Sequence, residues 1–418
     1  MFLAGYFNDS LSYTDSAPKL LFIKQRNGVV TGVENPSLFA VDYDRQFEAF
    51  TTELQQIWQT PKQTLIVGGR YQAGWSDTSS LLTRQLTGVV TNQNTDTDLS
   101  RISFYAYEQL QLLEPLRLTA GISYDRLEYP RNIDISPITD QQTSTDLVSP
   151  KLGLLWTPEE NTRFRAIYTK SLGGVFFDNS IRLEPTQVAG FNQAFRSVAP
   201  ESAVGLVPGT EFQTYGLGLD RTFKSGMYFG IEGEILQSDA LRTVGAFTNQ
   251  FNIPIPNSAS STRQTLDFQE KSLLLTINQL IGTEWSLGLR YKVSEAELDG
   301  KFIDVPANVP GASGINQDVS AVLHQLNLYA IYNHPSGFFG QVQAVWSAQS
   351  NHGYTPDLPG DDFWQFNALV GYRFWRRTAE IDLGLLNITD QNYRLNPLNL
   401  YSELPRERTL YVSFKFYF

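Results

Sequence analysis

Along most of this chain large apolar residues return at every second position, the period at which a β-strand turns its side chains to one face. In "EWSLGLRYKVS" (284 to 294), Trp285, Leu287, Leu289, Tyr291 and Val293 share one face, and Ser286, Gly288, Arg290, Lys292 and Ser294 the other. "GFFGQVQAVWS" (337 to 347) repeats this with Phe338, Val342, Ala344 and Trp346 against Phe339, Gln341, Gln343 and Ser347. The chain closes on "TLYVSFKFYF", where Leu410, Val412, Phe414, Phe416 and Phe418 alternate with smaller, polar or tyrosine side chains. Such a strand would be an aggregation hazard in water.

The alternation predicts about 17 strands. They fall near 2–13, 18–27, 47–59, 63–75, 100–113, 116–130, 148–157, 162–172, 210–222, 226–238, 266–280, 284–298, 321–333, 337–352, 363–375, 378–389 and 406–418. Tight turns such as "TPKQ", "TPEEN", "FKSG", "IGTE", "HPSG" and Glu114-Pro115 alternate with polar stretches read as long loops. These loops lie at 28–46, 76–99, 131–147, 173–209, 239–265, 299–320, 353–362 and 390–405. Strict alternation of short and long connections is the organisation of outer-membrane barrels, with tight periplasmic turns and extended outer loops. A sandwich or propeller would not put every long loop on one side. The expected fold class is therefore all-β, a transmembrane antiparallel β-barrel forming a single domain over 1–418. One position strains the pattern: Glu108 shares a face with Ile102, Phe104 and Ala106, which requires a bulge or an interfacial carboxylate.

Composition agrees. The mean hydropathy is −0.24, and apolar runs such as "SLLLTI" (272 to 277) fall far short of the roughly 20 residues of a spanning helix. A barrel keeps its average hydropathy low because lipid-facing and lumen-facing residues alternate. Aromatic residues make up 13%, which suits girdles at two membrane interfaces. Cysteine is absent, which removes disulfides, zinc–thiolate sites and thiol catalysis. The net charge of −11 argues against a nucleic-acid partner, since phosphate binding needs a basic surface. "MFLAGYFNDSLSYTD" has no basic segment, apolar core or cleavage site of a signal peptide. Together with an odd strand count in a class of even-numbered barrels, this leads to the expectation that the chain is a fragment whose first strands are missing.

Four stretches carry a resemblance. "FYAYEQLQLLEPLRLTAGISYD" (104 to 125), "VSPKLGLLWTPEENTRFRAIYTKSLGG" (148 to 174) and "PGTEFQTYGLGLDRTFKSGMYFGIEGEI" (208 to 235) are similar to successive hairpins of TonB-dependent outer-membrane receptors. The C-terminal module (384 to 418) resembles the family's end, with Asn387, Ile388, Asp390 and Tyr393, a Pro-Arg lead into the last strand and a terminal Phe418. The resemblance implies a 22-stranded barrel around a plug, of which the predicted strands would be the sixth to the last. It implies a Gram-negative cell outer membrane, and uptake of a bulky scarce nutrient such as an iron–siderophore or other metal chelate. TonB would act only through a plug not present in this chain. The other partners implied are outer-membrane lipid and the barrel-assembly machinery, which would read Leu410, Val412, Phe414, Phe416 and Phe418 as its signal. The competing reading is a passive porin-like channel of 16 or 18 strands.

No catalytic constellation is expected. The three histidines, His324, His334 and His352, are scattered, and the loop carboxylates lack the spacing of a calcium loop; no metal or cofactor is expected. The loop at 173–197 concentrates Phe176, Phe177, Phe191 and Phe195 with Arg182 and Arg196. Aromatics with arginine are the residues that anchor a ligand; the same residues could instead fold down and pack inside the barrel. Arg117, Arg290 and Lys292 face the lumen on this pattern, either as an electropositive ladder or in salt bridges. "WRR" (375 to 377) suits an interfacial anchor.

Overall fold

The computed structural model describes residues 1–174, 182–193, 207–250, 258–374, 378–395 and 404–417. Its strands are β1 (Phe2–Asp15), β2 (Leu21–Arg26), β3 (Val29–Glu34), β4 (Phe39–Gln59), β5 (Gln63–Arg84), β6 (Val90–Leu113), β7 (Leu116–Asn132), β8 (Thr139–Glu159), β9 (Thr162–Leu172) and β10 (Gln187–Val188). They continue with β11 (Phe191–Asn192), β12 (Glu211–Thr222), β13 (Met227–Gln250), β14 (Ser258–Ile281), β15 (Trp285–Phe302), β16 (Gln317–Asn333), β17 (Phe338–His352), β18 (Asp361–Phe374), β19 (Ala379–Leu386) and β20 (Thr409–Phe416). Among the described residues eighteen strands share one sheet. Setting aside the β2–β3 hairpin leaves sixteen in an antiparallel wall ordered β1, β4 to β9, then β12 to β20. Neighbouring wall strands pair in sequence, so each tight turn and each long connection joins adjacent strands.

One predicted wall strand is corrected. The segment at 18–27 leaves the wall and becomes β2, an arm of a hairpin folded over the long-loop mouth, and the odd count becomes even. Asn27 and Gly28 have φ of 53° and 77°, the two left-handed residues of a turn that returns the chain at once into β3. Across the mouth β2 runs parallel to the end of β13, Leu21 to Gln25 against Ala246 to Gln250. Leu21, Phe22 and Ile23 are all buried, because β2 is covered on both faces rather than on one.

Four predicted loops are corrected as well. The stretch 28–46 holds β3 and the start of β4. Most of 76–99, 131–147 and 239–265 is strand too, because β5 to β8, β13 and β14 run on past the apolar band. Their Thr-rich, polar composition reads as loop, yet Thr suits a pleated strand, and here both strand faces leave the lipid. On the outer face Trp58 and Glu48 of β4 lie ten residues apart, as do Trp156 and Asp146 of β8. That is the length of strand a bilayer core requires. Between these limits the outer face is apolar and exposed: Phe50 and Leu54, Val67 and Tyr71, Ile102 and Phe104, Leu152 and Leu154. Glu108 stays in register between Leu65 and Ala120 on this face, and the β6 irregularity falls later, at Gln111/Leu113.

Above the band the inward faces close into an apolar cap. Leu20, Phe22, Phe39, Val41, Tyr43, Leu82, Ile138 and Phe247 pack together, with the rings of Phe39 and Phe247 stacked at 5.1 Å. The loop between β7 and β8 is pinned beneath. Tyr43 donates its hydroxyl to the Ile133 carbonyl at 2.7 Å, and Arg45 donates to Asp134 at 2.7 Å. Withdrawal of Asp134 from water outweighs the nearby Arg45 and raises its carboxyl to about 6.

The C-terminal motif staples the chain's end. Asn387, fully buried with φ 49°, donates its side-chain amide to the carbonyls of Gln391 and Arg406 and accepts from the Gln391 N–H. Asp390 accepts from the Arg408 N–H at 3.1 Å, and Tyr393 stacks on Phe363 at 4.6 Å. These contacts aim the chain into β20. Its Leu410, Val412, Phe414 and Phe416 are exposed, while Phe418 lies outside the described residues. Among those residues, β20 pairs only with β19 and β1 only with β4.

Candidate functional site

The lumen is polar and charged. Arg101 donates to Asp125 at 2.8 Å and to the Leu172 carbonyl at 3.0 Å, and Ser103 donates to the same carboxylate at 2.5 Å. Lys151, fully buried, donates to Ser171 at 2.7 Å and to the Lys170 carbonyl. On the adjacent strands β14 and β15, Glu270 and Lys292 pair at 3.2 Å. Arg290 shares the Lys292 face and is exposed, and Arg117 stands exposed at the short-turn end, donating to Gln111 at 3.3 Å. Of the three cations read as lumenal, then, Lys292 is neutralised by a salt bridge and the other two stay in the open.

Into this lumen descends part of the long connection between β9 and β12. Residues 182–193 form a small loop ending in the β10–β11 hairpin, whose Ala189-Gly190 turn has φ of 47° and 85°. Glu53 of β4 accepts the N–H groups of Leu183 and Glu184, both at 2.8 Å. Gln55 donates to the Leu183 carbonyl at 2.6 Å. Tyr105 donates to Glu53 and Tyr107 to Glu184, each at 2.7 Å, while Gln193 donates to the Tyr107 oxygen at 3.1 Å. Val188 and Phe191 are buried among Ile66, Tyr105, Tyr107 and Ile167. The wall is notched for them: a Cβ on Gly153 would lie 2.5 Å from Val188, and one on Gly216 2.6 Å from Phe191. Arg165, paired with Asp220 at 2.8 Å and Glu232 at 3.0 Å, places its guanidinium 4.7 Å from the Phe191 ring centre. Of the residues singled out in this loop, the structure puts Phe191 and Arg182 inside the barrel, Arg182 3.3 Å from Glu184. Phe176, Phe177, Phe195 and Arg196 lie outside the described residues.

A second feature opens on the long-loop side. β9 stops at Leu172 and its partner β12 starts at Glu211, so the upper parts of β8 and β13 have no described strand between them. A cavity of about 980 Å³ occupies this gap, lined by Arg131, Pro208, Asp239, Arg242, Asp267 and Lys301 among others. Its rim charges are largely paired: Arg263 with Asp304 at 2.6 Å, Lys301 with Asp299, and Lys170 with Glu211 at 2.7 Å.

A family model described as "TonB dependent receptor-like, beta-barrel" matches residues 3–388. The chain belongs to this family. TonB-dependent receptor barrels are outer-membrane transporters and receptors of Gram-negative bacteria, so the porin reading is not favoured. No match is found among curated proteins. Among solved structures, the ferric yersiniabactin uptake receptor FyuA of Yersinia pestis is 10% identical with a TM-score of 0.56, the alignment covering 99% of this chain and 58% of that one. The copper transporter OprC is 13% identical with a TM-score of 0.53, covering 90% and 57%. The siderophore receptor PiuA of Acinetobacter baumannii is 14% identical with a TM-score of 0.51, covering 98% and 60%. At such identities the likeness is one of fold, and the chain spans less than two thirds of each relative's length.

Within a TonB-dependent receptor barrel the buried polar residues Glu53, Gln55, Tyr105 and Tyr107, which hold the descending loop, are the lumenal residues that sequence reasoning passed over. Each looks like an ordinary inward position of its strand. The available signals were the small residues Gly153 and Gly216 on inward positions and the Ala189-Gly190 turn inside a supposed outer loop.

Proposed function

We propose that this chain forms the membrane barrel of a TonB-dependent importer in the Gram-negative outer membrane, taking up a bulky scarce nutrient such as an iron–siderophore or other metal chelate. The observation that carries the reading is the family match over 3–388; the relatives' printed cargoes, ferric yersiniabactin and copper, define the class. The cavity of about 980 Å³ on the long-loop side is at the upper end of small-molecule sites. Val207, Pro208 and Gly209, at the end of the connection that carries Phe176, Phe177, Phe195 and Arg196, line it. Those four residues are the proposed ligand contacts, and Arg117 and Arg290 line the path below. The assembly machinery reads the exposed alternate residues of β20 with Phe418, and lipid covers the apolar band.

The test is uptake of a panel of radiolabelled metal chelates by cells carrying or lacking the gene, with and without TonB. Uptake that needs both is expected; uptake indifferent to TonB would indicate passive diffusion and overturn the proposal. Phe176→Ala with Phe177→Ala should weaken uptake while the barrel still assembles, and undiminished uptake would remove those residues from the site.

A further inference from the structure

We propose that Leu183–Gln193 is a resident strap that narrows the lumen, held in a seat built by the barrel wall itself. The seat is specific rather than a collapse of loose chain. Glu53, Tyr107, Val188 and Phe191 are each 1% exposed. One carboxylate accepts two consecutive backbone N–H groups at 2.8 Å, charge-assisted bonds stronger than neutral ones. A buried loop must satisfy its backbone polar groups, and Glu53 and Gln55 do this for Leu183 and Glu184.

The seat draws on six wall strands: Glu53 from β4, Ile66 from β5, Tyr105 and Tyr107 from β6, Gly153 from β8, Ile167 from β9 and Gly216 from β12. It lies in the short-turn half, since Glu53 is six residues from the end of β4 and Tyr107 six from the end of β6. Glycine at 153 and 216 leaves the room that Val188 and Phe191 fill. A loop that merely dipped into an aqueous lumen would need neither notch. Solute passing along this side of the lumen meets the strap and has to displace it. This inference rests on the placement of the segment alone and is independent of cargo and of energy coupling.

The chain has no native cysteine, so a designed pair reports without background. Gly153→Cys with Val188→Cys brings the two Cβ atoms within reach of a disulfide, whereas Gly153→Cys with the outward-facing Val148→Cys cannot bond. In folded, heat-modifiable protein from outer membranes, the first pair should lose both free thiols on mild oxidation and the control pair neither. Two labelled thiols in the first pair after oxidation would overturn the proposal. Glu53→Ala, in planar bilayers, should raise occupancy of a larger-conductance state on the order of a hundredfold, because two charge-assisted bonds are lost. Oxidised Gly153→Cys/Val188→Cys in the same background should reverse it. Conductance equal to that of the parent protein would overturn the proposal; if Glu53→Ala does not fold, the thiol result decides alone. The crosslink can form when chelate uptake fails, and fail when uptake succeeds, so the two proposals are separable.

Discussion

Phe39→Ala should release the hairpin that covers the mouth of the barrel. Phe39 is 2% exposed and stacks on Phe247 of β13 at 5.1 Å and on Phe22 of β2 at 6.3 Å. Truncating a buried phenylalanine costs about 3–5 kcal/mol in lost transfer energy and residual cavity. Phe39 divides its ring contacts between the hairpin and the wall, so about half of that, ~2 kcal/mol, weakens the hairpin's attachment. What remains is the burial of Leu20, Leu21, Phe22 and Ile23, at most about 6–12 kcal/mol. The hairpin should therefore stay docked on average but open roughly thirtyfold more often. Hydrogen exchange of the amides of β2 and β3 measures this directly. They should exchange about thirtyfold faster, while amides in the short-turn halves of β16 and β17 keep their rates. Unchanged exchange in β2 and β3 of a folded Phe39→Ala protein would show that the stacked rings do not hold the cap.

Three further outcomes follow from particular side chains. Because the folded cap binds the Asp134 proton more tightly than the unfolded chain does, its stability should fall as pH rises from about 4 to about 6, by at most about 3 kcal/mol. Asp134→Asn should flatten the pH dependence of exchange in the β7–β8 loop, and a slope of opposite sign would contradict the assignment. Asp304 is the reverse case: hydrogen bonds from Arg263 hold its carboxyl below the ordinary value, so its contribution persists above about pH 4 and is lost as pH falls further. Proteolysis of the 303–316 loop across that range reads it, and Arg263→Ala should remove the transition. Glu108, outward in the apolar band with one carboxylate oxygen buried and without a hydrogen-bond partner, should be replaceable by Leu with a gain of about 1 kcal/mol in unfolding free energy, read from denaturant titration; a loss would mean that the carboxylate has a partner in the membrane.

The period-two pattern by itself determined that the chain is an antiparallel wall of strands with an apolar outer face. Side-chain alternation is a property of each strand's own backbone, and tight turns declare themselves locally. Hence the short turns and the face of Glu108 were legible. Strand ends above the lipid were not, because once both faces are polar the pattern that marks a strand disappears. Nor did "KLLFIKQRNGVV" declare that it would cross the mouth to reach β13. Its Asn-Gly pair is a local turn signal, but the stretch after it reads as the start of a long loop, and nothing local says where a hairpin would dock. The lumenal seat was the least visible part. Glu53 and Leu183 are separated by 130 residues, and the glycines that make room for Val188 and Phe191 stand on other strands. Only closing the wall around the returning loop brings these groups together, and only then does an ordinary inward glutamate become the acceptor that holds it.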